Sequence, residues 1–359
     1  MARIAADGGW WPFDRFMAFA LYAPGLGYYA RGDAIFGTLP GTRPGNEGQP
    51  GSDFVSAPEL SPLFGRALAA QLAQALQATG TQELWEFGAG SGALAAELLA
   101  TLDALGMPPR RYHVVELSGA LQARQRARLA AFGDRVAWHT ALPAAFEGVV
   151  LGNEVLDAMP VKLLHFDGAR WAERGVAVDG GALAWADRPT ALRPPVDAPF
   201  VPGTVTEVHP QAQAWVRTLA GALQRGAIFL VDYGFPEAEY WLPQRHGGTL
   251  MCHRAHRADA DPLADVGDKD ITAHVDFTGI ALAGQDAGLE VLGYTSQARF
   301  LLNCGIAPLL EAAGLRERTM AQKLVNEHEM GELFKVIGFV QGPAFDALGF
   351  AAGDRSHRL

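Results

Sequence analysis

Short continuous apolar runs alternate with longer amphipathic stretches from residue 82 onward. Such runs are typical of strands that are buried on both faces, and their alternation with helices predicts a parallel sheet covered on each side. The predicted strands are ELWEF (83–87), RYHVVEL (111–117), RVAWH (135–139), GVVLGNE (148–154) and AIFLVDY (227–233), with EVLGYTSQ (290–297) and FKVIGFVQG (334–342) as closing strands. The fold class is therefore α/β.

Three stretches carry clear helix signals. FDRFMAFALY (13–22) has apolar residues at helical spacing, and ALAAELLATLDAL (93–105) lies between two predicted strands. Ser61 followed by Pro62 is a typical N-cap and first-turn pair, so a helix should begin there. Its buried face should carry Leu63, Phe64, Ala67, Leu68, Leu72 and Leu76.

Other stretches interrupt this alternation. Residues 161–200 contain LLHFDGARWAERGVAV and GGALAW, which are typical of antiparallel hairpins, whereas residues 240–280 are polar and predicted to be irregular. The Gly/Pro-rich stretch 38–52 should be a loop. We predict a cap at 1–80, a core at 81–240 with an insertion at about 161–200, a second insertion at 241–285, and closing strands and helices at 286–359. Residues 1–60 and 240–280 should together cover the site.

Gly88, Gly90 and Gly92 follow a strand and open a helix, where backbone N–H groups commonly meet a ligand. GAGSGA also satisfies the dinucleotide fingerprint G-x-G-x-x-A. However, Glu86 would repel a pyrophosphate and better suits the cationic amino-acid part of S-adenosylmethionine. Glu116, at the end of the second strand, could accept hydrogen bonds from ribose hydroxyls, as in NAD enzymes. An NAD site and a turn without any ligand therefore stay as alternatives.

GNEVLDAMPV (152–161) places Asn153 and Glu154 at the carboxyl end of the fourth strand, where open α/β sheets bind ligands. If a helical turn begins here, Asp157 shares a face with Glu154. Two carboxylates could then hold a planar guanidinium by paired hydrogen bonds. The alternative is a helix cap followed by a solvated turn.

Composition narrows the class of protein. The chain has 359 residues, of which 49% are hydrophobic, and a formal charge of −10. The negative charge argues against non-specific nucleic-acid binding. Its apolar runs are too short to cross a bilayer, and no signal peptide is expected. With Cys252 and Cys304 as the sole cysteines, a disulfide scaffold is excluded and the cytoplasm is predicted.

Two further clusters of polar residues carry candidate chemistry. Cys252, His253 and His256, with His246 nearby, suggest zinc, but the spacing lacks the second ligand pair of a structural site. No metal is therefore predicted. LQARQRARL (121–129) is basic and is predicted to be a solvated helix face.

Seven blocks occur in an order that resembles the MidA family of class I methyltransferases, which includes the mitochondrial assembly factor for respiratory complex I. They are FMAFALYAPGLGYY, SDFVSAPELSPLFG, EFGAGSGAL, YHVVELS, GNEVLDAMPV, VDYG and DITAHVDF. The resemblance covers nearly the whole chain. It implies a Rossmann-like, mostly parallel seven-strand sheet, S-adenosylmethionine as cofactor and S-adenosylhomocysteine as product. For the mitochondrial member it implies symmetric dimethylation of a protein arginine.

Site residues follow from the same resemblance. It implies a cofactor site made of Glu86, Gly88, Ala89, Gly90, Gly92, Glu116, Leu117, Ser56 and Glu59, and a strand-four motif of Asn153, Glu154 and Asp157. Where relatives tend to read GDF-x-T-x-PE, this chain reads GSDFVSAPE (51–59), which has an extra Ser52 and places Ser56 at the Thr position. The contacts of Asp53, Ser56 and Glu59 are therefore the least constrained.

The function expected from these residues is methylation of arginine in a protein substrate. A guanidinium is protonated at cellular pH, so the enzyme must orient it and take up a proton. Glu154 and Asp157, with Glu207 as a further candidate, fit those roles. His274 is either a proton acceptor or a structural hydrogen-bond partner. The alternatives are an NAD-dependent oxidoreductase and a non-catalytic assembly protein. Neither a nucleic-acid nor a membrane partner is expected, and a homodimer is left open.

Overall fold

The computed structural model describes residues 1–30, 56–254 and 257–359. The predicted loop at 38–52 and Asp53 lie outside these ranges. The central sheet has seven main strands: β1 Glu83–Phe87, β2 Arg111–Val115, β3 Val136–His139, β4 Phe146–Asn153, β5 Leu223–Phe235, β6 Glu290–Ser296 and β7 Phe334–Gln341. Their order across the sheet is β6-β7-β5-β4-β1-β2-β3. Strand β7 is antiparallel to both of its neighbours, and the other pairs are parallel. The predicted mostly parallel seven-strand sheet is confirmed.

Helices cover both faces of this sheet, as the continuous apolar strands predict. In β4, Val149 and Leu151 pack with the helix Pro62–Thr79 on one face, whereas Val150 packs with Pro210–Ala222 on the other. The remaining α-helices are Ala2–Ala6, Phe13–Tyr22, Ala57–Leu60, Ala93–Ala104, Gly119–Arg128, Glu237–Tyr240, Phe277–Asp286, Gln297–Asn303, Ile306–Ala312 and Leu315–Val325. In the part of the chain that the structure describes, no helix is both long and apolar enough to span a membrane.

The two N-terminal helix predictions are confirmed. The helix Phe13–Tyr22 coincides with the predicted stretch. The next long helix begins at Pro62, and the hydroxyl oxygen of Ser61 accepts a hydrogen bond from the Leu63 N–H at 3.2 Å. This cap satisfies one of the amide donors that every helix start leaves without an intrahelical partner.

A second, fully antiparallel sheet follows β4. It consists of Lys162–Phe166, Trp171–Asp179, Ala182–Pro189 and Val205–Val208, joined by the N-terminal strand Trp10–Pro12. The hairpins predicted within 161–200 are confirmed as antiparallel pairs. Pairing of Trp10–Pro12 with Trp171–Asp179 brings the N-terminal segment to this insertion.

The stretch 240–280 is more regular than predicted. Met251–Arg254 pairs with both Arg257–Asp259 and Asp270–Thr272 to form a small antiparallel sheet, and Val275–Asp276 extends the edge of β5. The prediction of irregular structure was wrong because these strands are only two to four residues long. Strands so short carry too little periodicity for their pairing to be read from the sequence.

The N-terminal helices, the second sheet and the small sheet share one apolar core. Phe13 and Met17 pack there with Leu163, Cys252 and Ile271, all of which are buried. The N-terminal segment and the second insertion therefore form one packed body beside the central sheet.

Candidate active site

One cavity of about 1020 Å³ runs along the carboxyl ends of β1, β2, β4 and β5 and continues under the small sheet. Six carboxylates line it, namely Glu59, Glu86, Glu116, Glu154, Asp157 and Asp270, and its described lining contains neither lysine nor arginine. We call the part around Gly88–Gly92 and Glu116 the glycine end, and the part around Glu154, Asp157 and Asp270 the acid end. The lining favours a cationic ligand.

The glycine loop adopts a backbone that few other residues accept. Gly88, Gly90 and Gly92 have φ angles of 63°, 52° and 80°, all in the left-handed region. A side chain is disfavoured at such angles, most of all a β-branched one. Gln125 fixes the loop, since its side-chain amide donates to the carbonyl of Gly90 at 2.9 Å. The alternating glycines are therefore required by the turn itself, and Ala89 is buried between them.

Glu116 lies directly after β2 with its carboxylate held from both sides. One oxygen accepts from the Ser118 N–H at 2.8 Å, and the other accepts from the Gln125 side chain at 3.2 Å. Burial raises the pKa of this carboxyl. Both donors are neutral, so the carboxylate oxygens keep capacity for further hydroxyl donors. Leu117 follows as a cavity-lining residue that is 72% exposed.

Glu86 sits beneath the loop and is almost fully buried. The Tyr112 hydroxyl donates to it at 2.8 Å, and burial raises its pKa to about 7. A carboxyl in this position would repel a pyrophosphate, and no lysine or arginine of the described lining offsets it. The geometry thus fits a zwitterionic amino-acid group better than a dinucleotide.

Residues 56–60 bridge the two ends of the cavity. Ser56 precedes the short helix Ala57–Leu60 and lines the cavity. Glu59 contacts the Ser91 hydroxyl of the glycine loop and the Arg128 guanidinium. The Ala57 N–H donates to the carboxylate of Glu154. This short segment therefore touches both the glycine loop and the acid end.

The turn after β4 is not the helical turn that the sequence suggested. Glu154 has a φ of 53°, and residues 155–157 are not helical. Instead, one oxygen of Asp232 accepts from three successive N–H groups, those of residues 155, 156 and 157, at 3.1, 2.9 and 3.3 Å. A buried carboxylate on β5, far away in sequence, organises the turn, so the condition for a shared helical face is not met. Glu154 and Asp157 both still line the cavity.

The acid end holds three carboxyls whose pKa values are all raised. Removal from water raises the pKa of Glu154 to about 7 and that of Asp157 to about 6. Burial and the charge of Asp157 raise the pKa of Asp270 to about 8. Two tyrosine hydroxyls donate here, from Tyr233 to Asp157 at 2.6 Å and from Tyr29 to Asp270 at 2.9 Å. A bound cation would relieve the repulsion among these groups.

The other predicted residues differ in their placement. Asn153 lines the cavity and donates its side-chain amide to Glu154 at 3.0 Å. His274 also lines it, with a pKa lowered by burial to about 4, which makes it a weak base. Glu207 is fully buried away from the cavity. It accepts from the N–H groups of Thr249 and Leu250 and from the Tyr240 hydroxyl, so it holds the start of the small sheet.

Cys252 and His253 of the MCHRAH stretch do not share one site. Cys252 and His253 are neighbours on one strand, so their side chains lie on opposite faces. Cys252 joins the N-terminal core and His253 lines the cavity. Among the described residues, no group of three or more metal-binding side chains could hold a metal ion. His256 lies outside them.

Several residues at the site were missed by the sequence reasoning. Asp270, Tyr29 and Asp232 lie in blocks that carry the family resemblance, but no local spacing pairs them with residues 154–157. Gln125 and Arg128 lie in the run predicted to be a solvated face. That prediction is wrong for Gln125, which is fully buried, whereas Arg128 is exposed as predicted and also contacts Ser91 and Glu59. The sequence did contain one indication of this burial, because the uncharged Gln125 stands between Arg124 and Arg126.

Comparison with known proteins agrees with this geometry. The family model described as putative S-adenosyl-L-methionine-dependent methyltransferase matches residues 67–295. The mitochondrial protein arginine methyltransferase NDUFAF7 of Homo sapiens is 27% identical over 89% of this chain and 77% of that protein. Its homolog in Drosophila melanogaster is 27% identical over 92% of this chain and 82% of that protein.

Two crystal structures of proteins from Burkholderia thailandensis match along the whole chain. One, bound to S-adenosyl-homocysteine, is 52% identical with a TM-score of 0.93 and covers 100% of this chain and 95% of that chain. The other is 50% identical with a TM-score of 0.90, covering 100% of this chain and 94% of that chain.

Proposed function

The chain belongs to this family of S-adenosyl-L-methionine-dependent methyltransferases, and from that premise we propose that it methylates arginine side chains of a protein. Its cofactor is S-adenosylmethionine, which when bound supplies a methyl group on a positively charged sulfur. The methyl acceptor is the open question, and the acid end of the cavity is the part of the molecule that bears on it.

The observation that carries the proposal is the group of Glu154, Asp157 and Asp270 in a cavity without a lining lysine or arginine. Burial raises the pKa of all three carboxyls, so their ionised forms require a positive charge in the cavity to stabilise them. A guanidinium is permanently charged and offers several N–H donors in one plane. Carboxylates on different sides of such a group can hold it by charge-assisted hydrogen bonds.

We assign the two ends of the cavity separate tasks. At the glycine end, Glu116 would accept from the ribose hydroxyls, and Glu86 with the loop Gly88–Gly92 would hold the amino-acid part of the cofactor. Ser56, Glu59, Ala89 and Leu117 would complete that surface. At the acid end, Glu154 and Asp157 would orient the guanidinium, with Asn153 fixing Glu154. Orienting both reactants in this cavity is expected to supply much of the rate.

The relatives support the choice of acceptor. The human and Drosophila melanogaster proteins are named protein arginine methyltransferases, and the similarity extends over most of each chain. By the family resemblance described above, we propose that the product is symmetric dimethylarginine in a protein substrate. As part of the same proposal the enzyme works in a reducing cytoplasm, a setting supported by the free, buried Cys252 and Cys304.

A direct test uses purified protein, radiolabelled S-adenosylmethionine and lysate from a strain lacking the gene. We expect label in protein, recovered after hydrolysis as methylated arginine and located by mass spectrometry. Label on another residue type or on a small molecule would overturn the arginine assignment. Binding of S-adenosylhomocysteine without transfer to any fraction would favour an assembly protein that keeps the cofactor site.

A further inference from the structure

The inserted small sheet forms one wall of the cavity. Met251 and His253 of one strand line the cavity together with Asp270 and Thr272 of its partner. The alternate residues Cys252 and Ile271 point away into the N-terminal core. This alternation fixes which side chains face the ligand, because successive residues of a strand lie on opposite faces. The wall therefore brings one carboxylate, Asp270, to the acid end.

Asp270 is held in place from the N-terminal segment. The Tyr29 hydroxyl donates to its carboxylate at 2.9 Å, and the ring of Tyr29 stacks on that of Tyr22 at 5.6 Å. Tyr22 in turn donates its hydroxyl to the carbonyl of Ala158 at 2.8 Å, next to Asp157. Asp270, which is only 3% exposed, is thus tied to the turn that carries the other acids.

A separate observation indicates that this end takes a ligand. Asp157 is only 5% exposed, and one of its carboxylate oxygens accepts from Tyr233. The other oxygen, Oδ1, is buried with no hydrogen-bond partner among the described residues. A buried acceptor left without a donor is costly. A ligand N–H entering the cavity would satisfy it.

We propose that Asp270 is the catalytic base that takes the proton from the acceptor nitrogen, and that Tyr29 is its positioning residue. This inference rests on the proposed function. Glu154 and Asp157 lie on the same turn, and the unpartnered Oδ1 of Asp157 faces a ligand N–H, so we assign these two carboxylates to holding the guanidinium. Asp270 is the remaining carboxylate of the acid end, and it approaches from the opposite wall.

The chemical step is a displacement at the methyl carbon of the cofactor. The guanidinium nitrogen forms a bond to the methyl carbon while the carbon–sulfur bond breaks and leaves its electron pair on sulfur. The nitrogen loses one proton, which passes to the Asp270 carboxylate and later to solvent. The pKa of Asp270, about 8 in the ligand-free site, suits a group that must both accept and release a proton near neutral pH.

Several charged or titratable groups face Asp270. Tyr22 and Tyr29 face it from the N-terminal segment, and Glu154 and Asp157 from the turn after β4. His253 pairs with it across the small sheet, with a pKa lowered by burial. The adjacent Lys269 is bound to Asp259. The nearby groups are thus acids, tyrosines and a weakly basic histidine, so a rate titration would report mainly on the carboxylates.

The test compares Asp270→Asn with the wild-type chain in the lysate assay, together with calorimetric titration of S-adenosylhomocysteine. We expect transfer to arginine to fall about 100-fold, the usual contribution of a general base, with cofactor affinity unchanged. Asp276→Asn is the matched control, because Asp276 is equally buried but does not line the cavity. That variant should transfer at close to the wild-type rate.

Tyr29→Phe gives a readout that a structural role would not move. Its hydroxyl stabilises the ionised form of Asp270, so its loss should raise the pKa of that carboxyl. The acidic limb of the rate profile should then shift upward by about one pH unit, the size of one lost hydrogen bond. This variant also serves if Asp270→Asn does not fold.

The outcomes separate the two proposals. Wild-type transfer to arginine with an equally active Asp270→Asn variant would overturn the assignment of the base and leave the proposed function standing. An unshifted profile in Tyr29→Phe would remove the positioning role. Absence of methylarginine with the wild-type chain would overturn the proposed function, and the assignment of Asp270 with it.

Discussion

The glycine end of the cavity takes its polar contacts from residues 86–128, with Glu59 as an addition, whereas the acid end takes them from five distant segments. Those segments carry Tyr29, Ala57, the turn at 154–157, Asp232 with Tyr233, and Asp270. The glycine end is held by neutral amides, such as the Gln125 side chain and the Ser118 N–H. At the acid end the carboxylates crowd one another, and tyrosine hydroxyls are among their few donors.

This difference separates what the two ends require. The glycine end is a shaped backbone surface, so its function should be sensitive to conformation. The acid end is a concentration of charge, so its function should be sensitive to the loss of a single ionised group. Changes at one end should therefore leave the task of the other largely intact.

The largest effect is expected from Gly90→Val. Gly90 has a φ of 52°, which a β-branched residue rarely adopts. The loop would have to change course and lose the bond from Gln125, which also holds Glu116. Binding of S-adenosylhomocysteine should become undetectable by calorimetry. Gly106→Val is the control, because Gly106 has a φ of 70° but lies in open space away from the cavity. Tight binding by Gly90→Val would contradict the shaped-backbone reading.

The second-largest effect is expected from Glu154→Gln. The amide keeps the shape of the side chain and loses the charge that pairs with a guanidinium. Methyl transfer should fall on the order of a hundredfold, while affinity for S-adenosylhomocysteine stays nearly intact. Glu147→Gln, an exposed glutamate at the opposite end of β4, is the matched control in the radiolabel assay. A wild-type rate in Glu154→Gln would make that carboxylate structural.

The same contrast explains which parts of the fold and of the site could be predicted from the sequence. The strands, the glycine loop and Glu116 follow from local patterns because each depends on neighbours within a few residues. The turn after β4 does not, since Asp232, more than seventy residues away, holds it. Asp270 could not be linked to Glu154 either, because its strand is three residues long and pairs only through tertiary structure. The family resemblance marked these segments without indicating their contacts.

A smaller, opposite effect is expected from Glu116→Ala. Losing the carboxylate removes an acceptor for ribose hydroxyls, and cofactor affinity should fall about tenfold, as for the loss of one charge-assisted hydrogen bond. At saturating S-adenosylmethionine the transfer rate should stay close to that of the wild-type chain. Calorimetric titration of S-adenosylhomocysteine and transfer rates at saturating S-adenosylmethionine, both measured on Glu116→Ala and on Glu154→Gln, would check this. A large loss of saturated rate in Glu116→Ala would show that the two ends are coupled.

The smallest effect concerns stability in the ligand-free protein. The pKa of Asp270 is about 8 in the folded chain and about 3.9 in an unfolded one. Because the folded value is higher, the contribution of this group to stability is fully present below about pH 4 and is lost as pH rises through 8. Asparagine does not ionise, so the Asp270→Asn variant does not lose this contribution to stability as the pH rises. Between pH 7 and 8.5 the variant should therefore gain about 1.3 kcal/mol relative to the wild-type chain, or about 2 °C in melting temperature. Asp286→Asn, an exposed change at a helix end, should show no such trend. Thermal melts at both pH values decide the matter. A constant difference between Asp270→Asn and the wild-type chain would mean that Asp270 is already ionised at pH 7, and that the acid end is less crowded than its geometry indicates.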